Sequence, residues 1–308
     1  MQPLRGILLK LLSVGLFVAM SSIVKATADE VPSGEAVFFR SLFAIPVILG
    51  WLTLQGQLST GMKTTRPLGH VWRGVIGTTA MGLGFTSLGL LPLPEATAIG
   101  YAAPLLVVVL AALILREKVG IFRLSTVALG MVGVLIVLAP SLSLGAELPG
   151  AQRLGALIAL GGAFCAALAQ IQVRRLVQVE QTATIVFWFS VTATCLSLLT
   201  LPWGWRMPSP GAFALLVLGG LLGGFGQICL TSSYRYADAS LIAPFDYASM
   251  LLAVAIGFLV FAEVPTVTVL TGAGLIVLAG VVVILRERHL GLQRARERRA
   301  SRPGGGGT

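Results

Sequence analysis

The strongest constraint on this chain is a series of apolar segments, each about as long as a bilayer's hydrocarbon core is thick. Of its 308 residues, 56% are hydrophobic and 11% are charged, whereas a soluble globular chain carries about 25% charged residues. A helix needs about 20 mostly apolar residues to cross a membrane. We therefore predict an all-α polytopic membrane protein with ten transmembrane helices. The candidate spans are Gly6–Ala26, Glu35–Leu54, Val71–Leu91, Glu95–Leu115, Phe122–Pro140, Arg153–Val173, Ala183–Leu201, Gly211–Ser233, Ala239–Phe261 and Val267–Leu285.

The positive charges fall mainly on one side of these spans. With the N-terminus in the cytoplasm, 18 of the 22 lysines and arginines lie inside, Lys10 and Arg73 among them, and three lie outside. Cytoplasmic segments of membrane proteins are enriched in Lys and Arg. This bias predicts a multi-pass protein of the bacterial inner membrane with both termini in the cytoplasm. Arg40 is the one basic residue that this count assigns to neither side of the membrane.

The last 23 residues, 286–308, form a basic segment that ends in a glycine run. Arginines next to a final span are attracted by anionic lipid headgroups, and such a composition favours a disordered tail. No aromatic residue is interleaved with the charges, as binding to single-stranded nucleic acid would require. We expect membrane lipid, and no nucleic acid, as the partner of this tail.

An internal repeat divides the chain into two halves. EATAI at 95–99 matches DASLI at 238–242, and GVLIV at 133–137 matches GVVVI at 280–284. The offsets of 143 and 147 residues describe one register with a few insertions. Residues 1–141 and 151–285 are therefore predicted as two repeats. Each has five spans, an odd number, so the second enters the membrane inverted, as in many secondary transporters.

Several stretches also carry a resemblance to a known family. They are EAVFFR at 35–40, RPLGHVWRG at 66–74, LPEATAIGYAAPLLVVVLAALILREKV at 93–119, ADASLIAPFDYASMLLAVAIGFLVFAEVP at 237–265 and GAGLIVLAGVVVIL at 272–285. The chain resembles the EamA-type drug/metabolite transporters, which are carriers of two five-helix repeats around a central cavity.

The resemblance implies a small-molecule substrate that is a metabolite, and members of the family move amino acids, nucleoside-like metabolites, S-adenosylmethionine or riboflavin. The first two stretches are most similar to uptake members for the last two. Uptake of riboflavin is the leading expectation, with uptake of S-adenosylmethionine, or export of amino acids and other metabolites, as alternatives. A monomer or a homodimer is expected.

A membrane-embedded enzyme is the alternative from another class. Such an enzyme would need a cluster of acidic or histidine side chains near one membrane face. The chain has only 12 acidic residues, scattered among its spans, and no HExxH motif. Its three cysteines fall in three different spans without CxxC spacing. The sequence therefore predicts no enzyme, no metal site and no cofactor.

Arg40 is the first candidate site residue, because its guanidinium stays charged at physiological pH. It lies five residues past Glu35 in the second span, about 7–8 Å deep at 1.5 Å per residue. Ionisable groups inside spans generally face a cavity and pair with another group. Arg40 is expected to contact the substrate or to pair with Glu95. A third interpretation is that its long side chain reaches back to the headgroups.

Asp246 is the second candidate, about 10 Å into the ninth span. A carboxyl group buried there could take up a proton, so Asp246 or Glu95 could couple transport to protons. Substrate binding by Asp246 is one alternative, and a structural link to a neighbouring Tyr or Ser is another. Pro104 and Pro244 occupy similar places in the two repeats and are expected to bend their helices.

Aromatic and amide side chains complete the expected substrate-binding set. Tyr101 lies three residues before Pro104, and Tyr247 three residues after Pro244. Trp188 follows Arg40 by 148 residues, close to the repeat offset, and would suit a flat heterocycle. Core packing is the competing interpretation for these aromatic residues. Gln227 is an intramembrane amide that we also assign to the cavity wall.

Overall fold

A computed structural model describes residues 3–115, 121–142, 150–238, 242, 245–246, 248–275, 277–279, 281–282 and 285–286. All regular structure in these ranges is helical. The helices are α1 (Pro3–Ala26), α2 (Ser33–Leu54), α3 (Leu58–Gly61), α4 (Pro67–Leu90), α5 (Leu93–Gly100), α6 (Ala102–Ile114), α7 (Ile121–Leu142), α8 (Gly150–Leu176), α9 (Thr182–Ser197), α10 (Pro210–Tyr236) and α11 (Ala248–Phe261), followed by the apolar helix Val267–Ala279.

Six helical segments are each long and apolar enough to cross a membrane: α1, α2, α5 with α6, α8, α9 extended to Thr200, and α10. Shorter apolar helices cover Ala128–Val137, Ala248–Phe261 and Val267–Ala279. The chain is therefore a multi-pass, all-helical membrane protein. Helix α4 has the length of a span but is not among the six. It contains Arg73 and several glycines and threonines, which lower its hydropathy, and it lines a cavity described below.

The helix ends meet at two opposite ends of the bundle. At the near end, where α1 begins, Arg5 lies over the Tyr236 ring, with its guanidinium carbon 4.4 Å from the ring centroid. At the same end, Thr184 donates a hydrogen bond of 2.7 Å to the carbonyl of Gly61. These contacts join the beginning of α1, the end of α10, the α3 segment and the beginning of α9.

Glu180 ties the near end together. Its Oε1 accepts hydrogen bonds from Thr64 Oγ1 at 2.8 Å, Thr65 N at 2.8 Å and Arg66 N at 3.1 Å, and His70 Nε2 lies 3.8 Å away. Burial raises the pKa of this carboxyl group, but the hydrogen bonds from Thr64 and Thr65 and the charge interaction with His70 outweigh it. The pKa of Glu180 therefore lies below its ordinary value.

The far end, where α1 ends, is held by a second set of charged contacts. Lys25 Nζ lies 2.9 Å from Glu263 Oε1 and donates to the carbonyl of Leu91 at 2.9 Å. Glu263 Oε2 also accepts a hydrogen bond of 2.8 Å from the amide of Leu93, at the beginning of α5. Because that amide has no partner within its own helix, the carboxylate stabilises the helix start.

Close helix pairs rely on glycine. Helix α1 packs along α10, and α8 packs along α4. In α10, a Cβ on Gly220 would lie 2.4 Å from Phe43 Cβ, and one on Gly224 would lie 3.1 Å from Ala44 Cα. The glycines of α10 therefore allow close helix approach, here toward α2.

The structure changes the assignment of two basic residues, and the helices that contain them begin earlier than the sequence analysis places them. Helix α1 begins at Pro3 and α4 at Pro67, which stands at the first helical position. Lys10 and Arg73 thus lie further inside their helices than the predicted spans place them, and they are buried, with exposed fractions of 1% and 5%. Counting them with the cytoplasmic surface charges was wrong. Proline is common at the start of a helix, because the amide hydrogen that it lacks would have no partner there. Pro67 was therefore the signal in the sequence for the true start of α4.

Candidate functional site

A cavity of about 370 Å³ lies between the helices of the two halves. Helices α1, α2, α4, α5, α6, α8, α9 and α10 all contribute to its wall. Most of the lining is small or apolar, with a few polar side chains among them, as is typical of small-molecule sites, which measure about 300–1,000 Å³. The polar and charged members of the wall are Ser21, Arg40, Arg73, Ser87, Thr97, Gln170, Gln227 and Tyr234.

Arg73 projects from α4 into this wall. Its guanidinium carbon lies 3.9 Å from the centroid of the Phe189 ring on α9. Gly77, one turn further along α4, makes room for it, because a Cβ there would lie 1.8 Å from Arg73 Nη1. Among the described residues, neither Nε nor Nη1 of Arg73 has a hydrogen-bond partner. The charge is therefore held by the face of an aromatic ring and not by a carboxylate.

Arg40 reaches the same ring from α2. Its guanidinium carbon lies 5.4 Å from the Phe189 centroid, and Nη2 donates to the carbonyl of Gly223 at 3.4 Å. The residue is 3% exposed, so its side chain does not reach back to the headgroups. Within the described ranges, Nε and Nη1 lack a hydrogen-bond partner and no carboxylate pairs with Arg40. The expected pair with Glu95 is not formed.

The two guanidinium groups are close enough to repel each other. Their distances from one ring centroid place the two carbons within about 9 Å of each other. At an effective dielectric of about 20, two like charges at that separation repel by about 2 kcal/mol. Arg40 and Arg73 therefore create a positive potential in the cavity wall.

Tyr234 and two amides form the polar part of the wall toward the near end. The Tyr234 hydroxyl donates a hydrogen bond to Gln170 Oε1 on α8. Gln227, 4% exposed, lies on α10 two turns before Tyr234, and its Nε2 faces Thr231 Oγ1 at 3.4 Å. These groups offer hydrogen bonds to a bound molecule beside the two arginines. Gln227 is one of the residues that line the cavity.

Asp246 lies in a second chamber of about 190 Å³, which shares Phe17, Ser21 and Thr97 with the main cavity wall. Its Oδ2 lies 2.9 Å from Nζ of Lys10, which is buried on α1. Asp246 is therefore in an ion pair, and not in the main cavity wall.

Neither Tyr101 nor Trp188 is among the residues that line the two chambers, although Tyr101 contacts Ser249 of the second chamber. The Tyr101 hydroxyl is 3.1 Å from Ser249 Oγ, which links the α5–α6 junction to α11. Trp188 donates from Nε1 to the carbonyl of Met62 at 3.0 Å, in the near-end loop. Phe189, one position further on, faces the cavity instead, since adjacent helical residues point about 100° apart.

The remaining predicted residues lie at helix ends or outside the described ranges. Glu95, in the first turn of α5, is near Glu263 and not beside Arg40. The helix breaks at Tyr101, three residues before Pro104, so α5 and α6 are separate segments of one span. Pro244 and Tyr247 are outside the described residues.

Arg73, Phe189 and Tyr234 are among the wall residues that the sequence analysis missed. For Arg73 the sequence did contain a signal, because the proline at position 67 marks a helix start that places Arg73 inside the helix. Phe189 and Tyr234 had none, because a phenylalanine or tyrosine inside an apolar helix is most often a core residue. Only the packing of α9 and α10 around the arginines distinguishes them.

Comparison with known proteins agrees with this architecture. The sequence model of the EamA-like transporter family matches the chain twice, over residues 4–139 and 153–286. The chain belongs to the EamA-like transporter family. The two matches cover most of its length, and the family consists of transporters, so the chain is a transporter and not an enzyme.

Relatives of this EamA-like protein have different names. It is 29% identical to a riboflavin transporter of Vibrio cholerae, over 90% of this chain and 92% of that protein. It is 27% identical to an S-adenosylmethionine uptake transporter of Rickettsia prowazekii, over 86% and 87% of the two chains. It is 28% identical to the pseudopaline exporter CntI of Pseudomonas aeruginosa, over 89% and 94%. These similarities support a small-molecule transporter.

A solved crystal structure shares the fold of this EamA-like transporter. It superposes with a TM-score of 0.72 at 19% identity, covering 92% of this chain and 98% of the other. At that identity the likeness concerns the fold alone.

Proposed function

We propose that the protein is a secondary transporter that moves a small organic metabolite across the bacterial inner membrane by alternating access. The observation that carries this proposal is the cavity between the two halves, which contains Arg40 and Arg73 against Phe189. Buried charges inside a membrane are expensive and mark substrate pathways. A cavity lined by both halves is also where a transporter of this type binds its cargo.

The alternating-access mechanism rests on ten spans in two inverted five-helix repeats. Two features of the packing support it. Helix α1 of the first repeat packs on α10 of the second, and α8, the counterpart of α1, packs on α4, the counterpart of α10. Two related half-structures can exchange conformations and open the cavity to each side in turn.

Equivalent basic residues support the same inversion. Lys25, near the end of α1, donates to the carbonyl of Leu88 at 3.3 Å. Arg174, near the end of α8, donates to the carbonyl of Tyr234 at 2.8 Å. The donors are 149 residues apart and the acceptors 146. Lys25 is at the far end and Arg174 at the near end, as inverted repeats require. With the near end cytoplasmic, both termini are also cytoplasmic.

Uptake of riboflavin is the leading candidate activity, because a riboflavin transporter aligns over most of this chain. Uptake of S-adenosylmethionine is the second candidate, for the same reason. Export of a metabolite is the third, since an exporter aligns over a similar share. Alternating access is compatible with either direction, which follows the gradients and the coupling.

Proton coupling through Asp246 or Glu95 extends the proposal. The Asp246→Asn variant would keep the size of the side chain and remove its carboxyl group. We expect its counterflow in proteoliposomes to lose the pH dependence of the wild type. An unchanged pH dependence would exclude Asp246 as the coupling group, and Glu95→Gln would then be measured in the same way.

A panel of radiolabelled substrates tests the proposed function. Right-side-out vesicles with and without the protein are given riboflavin, S-adenosylmethionine, amino acids or nucleosides, and loaded vesicles test export. We expect saturable transport of one class that depends on the protein. Arg206→Gln, a change in the exposed loop after α9, serves as a matched control. Absence of transport for every class in both directions would contradict the proposal.

A further inference from the structure

We infer that the transported molecule carries an oxyanion, a carboxylate or a phosphate, which binds between Arg40 and Arg73. This inference rests on the proposed function, because it assigns the cargo to the same cavity. It adds the chemical class of the cargo, on which the names of the relatives do not agree.

The charge balance of the site is the first argument. Both guanidinium groups are more than nine-tenths buried and line the cavity. Asp246 is already paired with Lys10 at 2.9 Å. In the described part of the chain, the two arginines therefore have no carboxylate to neutralise them. Desolvated cations of this kind need an anion from outside the protein.

The second argument is the number of free donors. Nε and Nη1 of Arg40, and Nε and Nη1 of Arg73, are buried N–H groups without a described hydrogen-bond acceptor. A guanidinium presents its donors in a planar fork that matches two oxygens of a carboxylate or phosphate. A single carbonyl of a neutral substrate would satisfy fewer of these donors.

The third argument is that the surroundings hold the arginines in place. Phe189 lies against Arg73, and Gly77 and Gly223 leave room for the two guanidinium groups, since a Cβ on Gly223 would lie 2.8 Å from Arg40 Nε. A site built in advance loses little side-chain freedom when the anion arrives. The aromatic ring supports the charges but leaves their N–H edges available.

The inference separates the candidate substrates. S-Adenosylmethionine carries a carboxylate, whereas riboflavin is neutral and only its 5′-phosphate carries an oxyanion. Two matched probe pairs follow from this chemistry. Riboflavin and riboflavin 5′-phosphate differ in the phosphate, and S-adenosylmethionine and its decarboxylated form differ in the carboxylate. The pairs also distinguish a phosphate-bearing cargo from a carboxylate-bearing one.

The experiment measures binding of the four probes to the purified full-length protein in nanodiscs, together with their uptake into proteoliposomes. We expect the oxyanion-bearing member of at least one pair to bind at least about tenfold more tightly than its partner without the oxyanion, since a charged hydrogen bond contributes that much or more. Arg40→Gln and Arg73→Gln should each remove this preference. Arg73→Lys should restore part of it, and Arg206→Gln should keep it.

The wild-type comparison keeps the test valid if a variant does not fold. Equal binding of both members of each pair, or binding only of the members without an oxyanion, would overturn the oxyanion inference, while transport of a metabolite without an oxyanion would preserve the proposed function. Binding of neither oxyanion-bearing probe would overturn the inference as well. Transport of none of the four probes, nor of any molecule in the broader panel, would overturn both.

Discussion

The guanidinium of Arg73 lies against the face of Phe189, with 3.9 Å between its carbon and the ring centroid. Arg73 comes from α4 and Phe189 from α9, so the contact joins the two halves of the chain at the cavity wall. Arg40 approaches the same ring from α2. A single aromatic side chain thus positions two buried charges that have no carboxylate among the described residues.

Gly77→Ala should disrupt the position of Arg73 without unfolding the protein. The new Cβ would lie 1.8 Å from Arg73 Nη1 and 2.8 Å from Phe189 Cε2, so the flexible guanidinium must move. We expect uptake to fall by about tenfold or more, the effect of losing a charged hydrogen bond. Gly82→Ala on the same helix is the control, because its Cβ would meet nothing within 4 Å. Equal uptake by both variants would contradict this role for Gly77.

Gly220→Ala should destabilise the contact between α10 and α2. Its Cβ would lie 2.4 Å from Phe43 Cβ and 3.0 Å from the backbone oxygen of Phe39, and overpacking of this kind costs about 1–3 kcal/mol. Thermal unfolding in detergent should show a lower midpoint. Gly211→Ala, also on α10 but without a neighbour within 4 Å, should melt like the wild type. A Gly220→Ala midpoint equal to the wild type would show that the helices can separate without cost.

Glu180 should make the near end sensitive to acid. Its pKa in the folded protein lies below the ordinary value of 4.5, so its stabilisation is present above that value and is lost as the pH falls through the folded pKa. Melting temperatures between about pH 3 and 7 should therefore fall less steeply for Glu180→Gln than for the wild type at the acid end. Asp29→Asn, which removes an exposed carboxylate at the far end, should keep the wild-type slope. Identical slopes for all three proteins would refute the prediction.

The Lys10–Asp246 pair should behave as a coupled unit. Removal of one partner of a buried ion pair leaves the other charge uncompensated and costs about 3–5 kcal/mol. Lys10→Met should therefore destabilise the protein more than the double variant Lys10→Met with Asp246→Asn. A double-mutant cycle from chemical unfolding measures the coupling free energy. Additive effects of the two substitutions would show that the ion pair contributes nothing.

Hydropathy predicted the class of fold. A bilayer requires a minimum length of every span, and that length is visible in the sequence as the length of an apolar segment. Arg40 was predictable for the same reason, as a charge within an apolar segment. Arg73 was counted with the cytoplasmic charges because it lies only two residues into the predicted span Val71–Leu91, whereas its helix begins four residues earlier, at Pro67. Such a shift is small along the chain but moves a charge from the surface to the interior.

The partners of these residues were not predictable. The pair of Arg40 with Glu95 was expected from similar depth in the membrane, but depth does not determine which faces of two helices meet. The choice between Trp188 and Phe189 likewise depends on the rotation of α9 about its axis. The sequence also identified Asp246 without its partner Lys10, which lies 236 positions away on α1.

Uptake by the Arg40→Ala variant tests the central claim most directly, namely that the cavity charges bind the transported molecule. The variant is reconstituted beside the wild type and Arg206→Ala, with membrane insertion and thermal midpoint measured for each, and is given the metabolite that the wild type transports. We predict that Arg40→Ala inserts and folds but loses transport, while Arg206→Ala retains it. Wild-type uptake by Arg40→Ala would contradict the account.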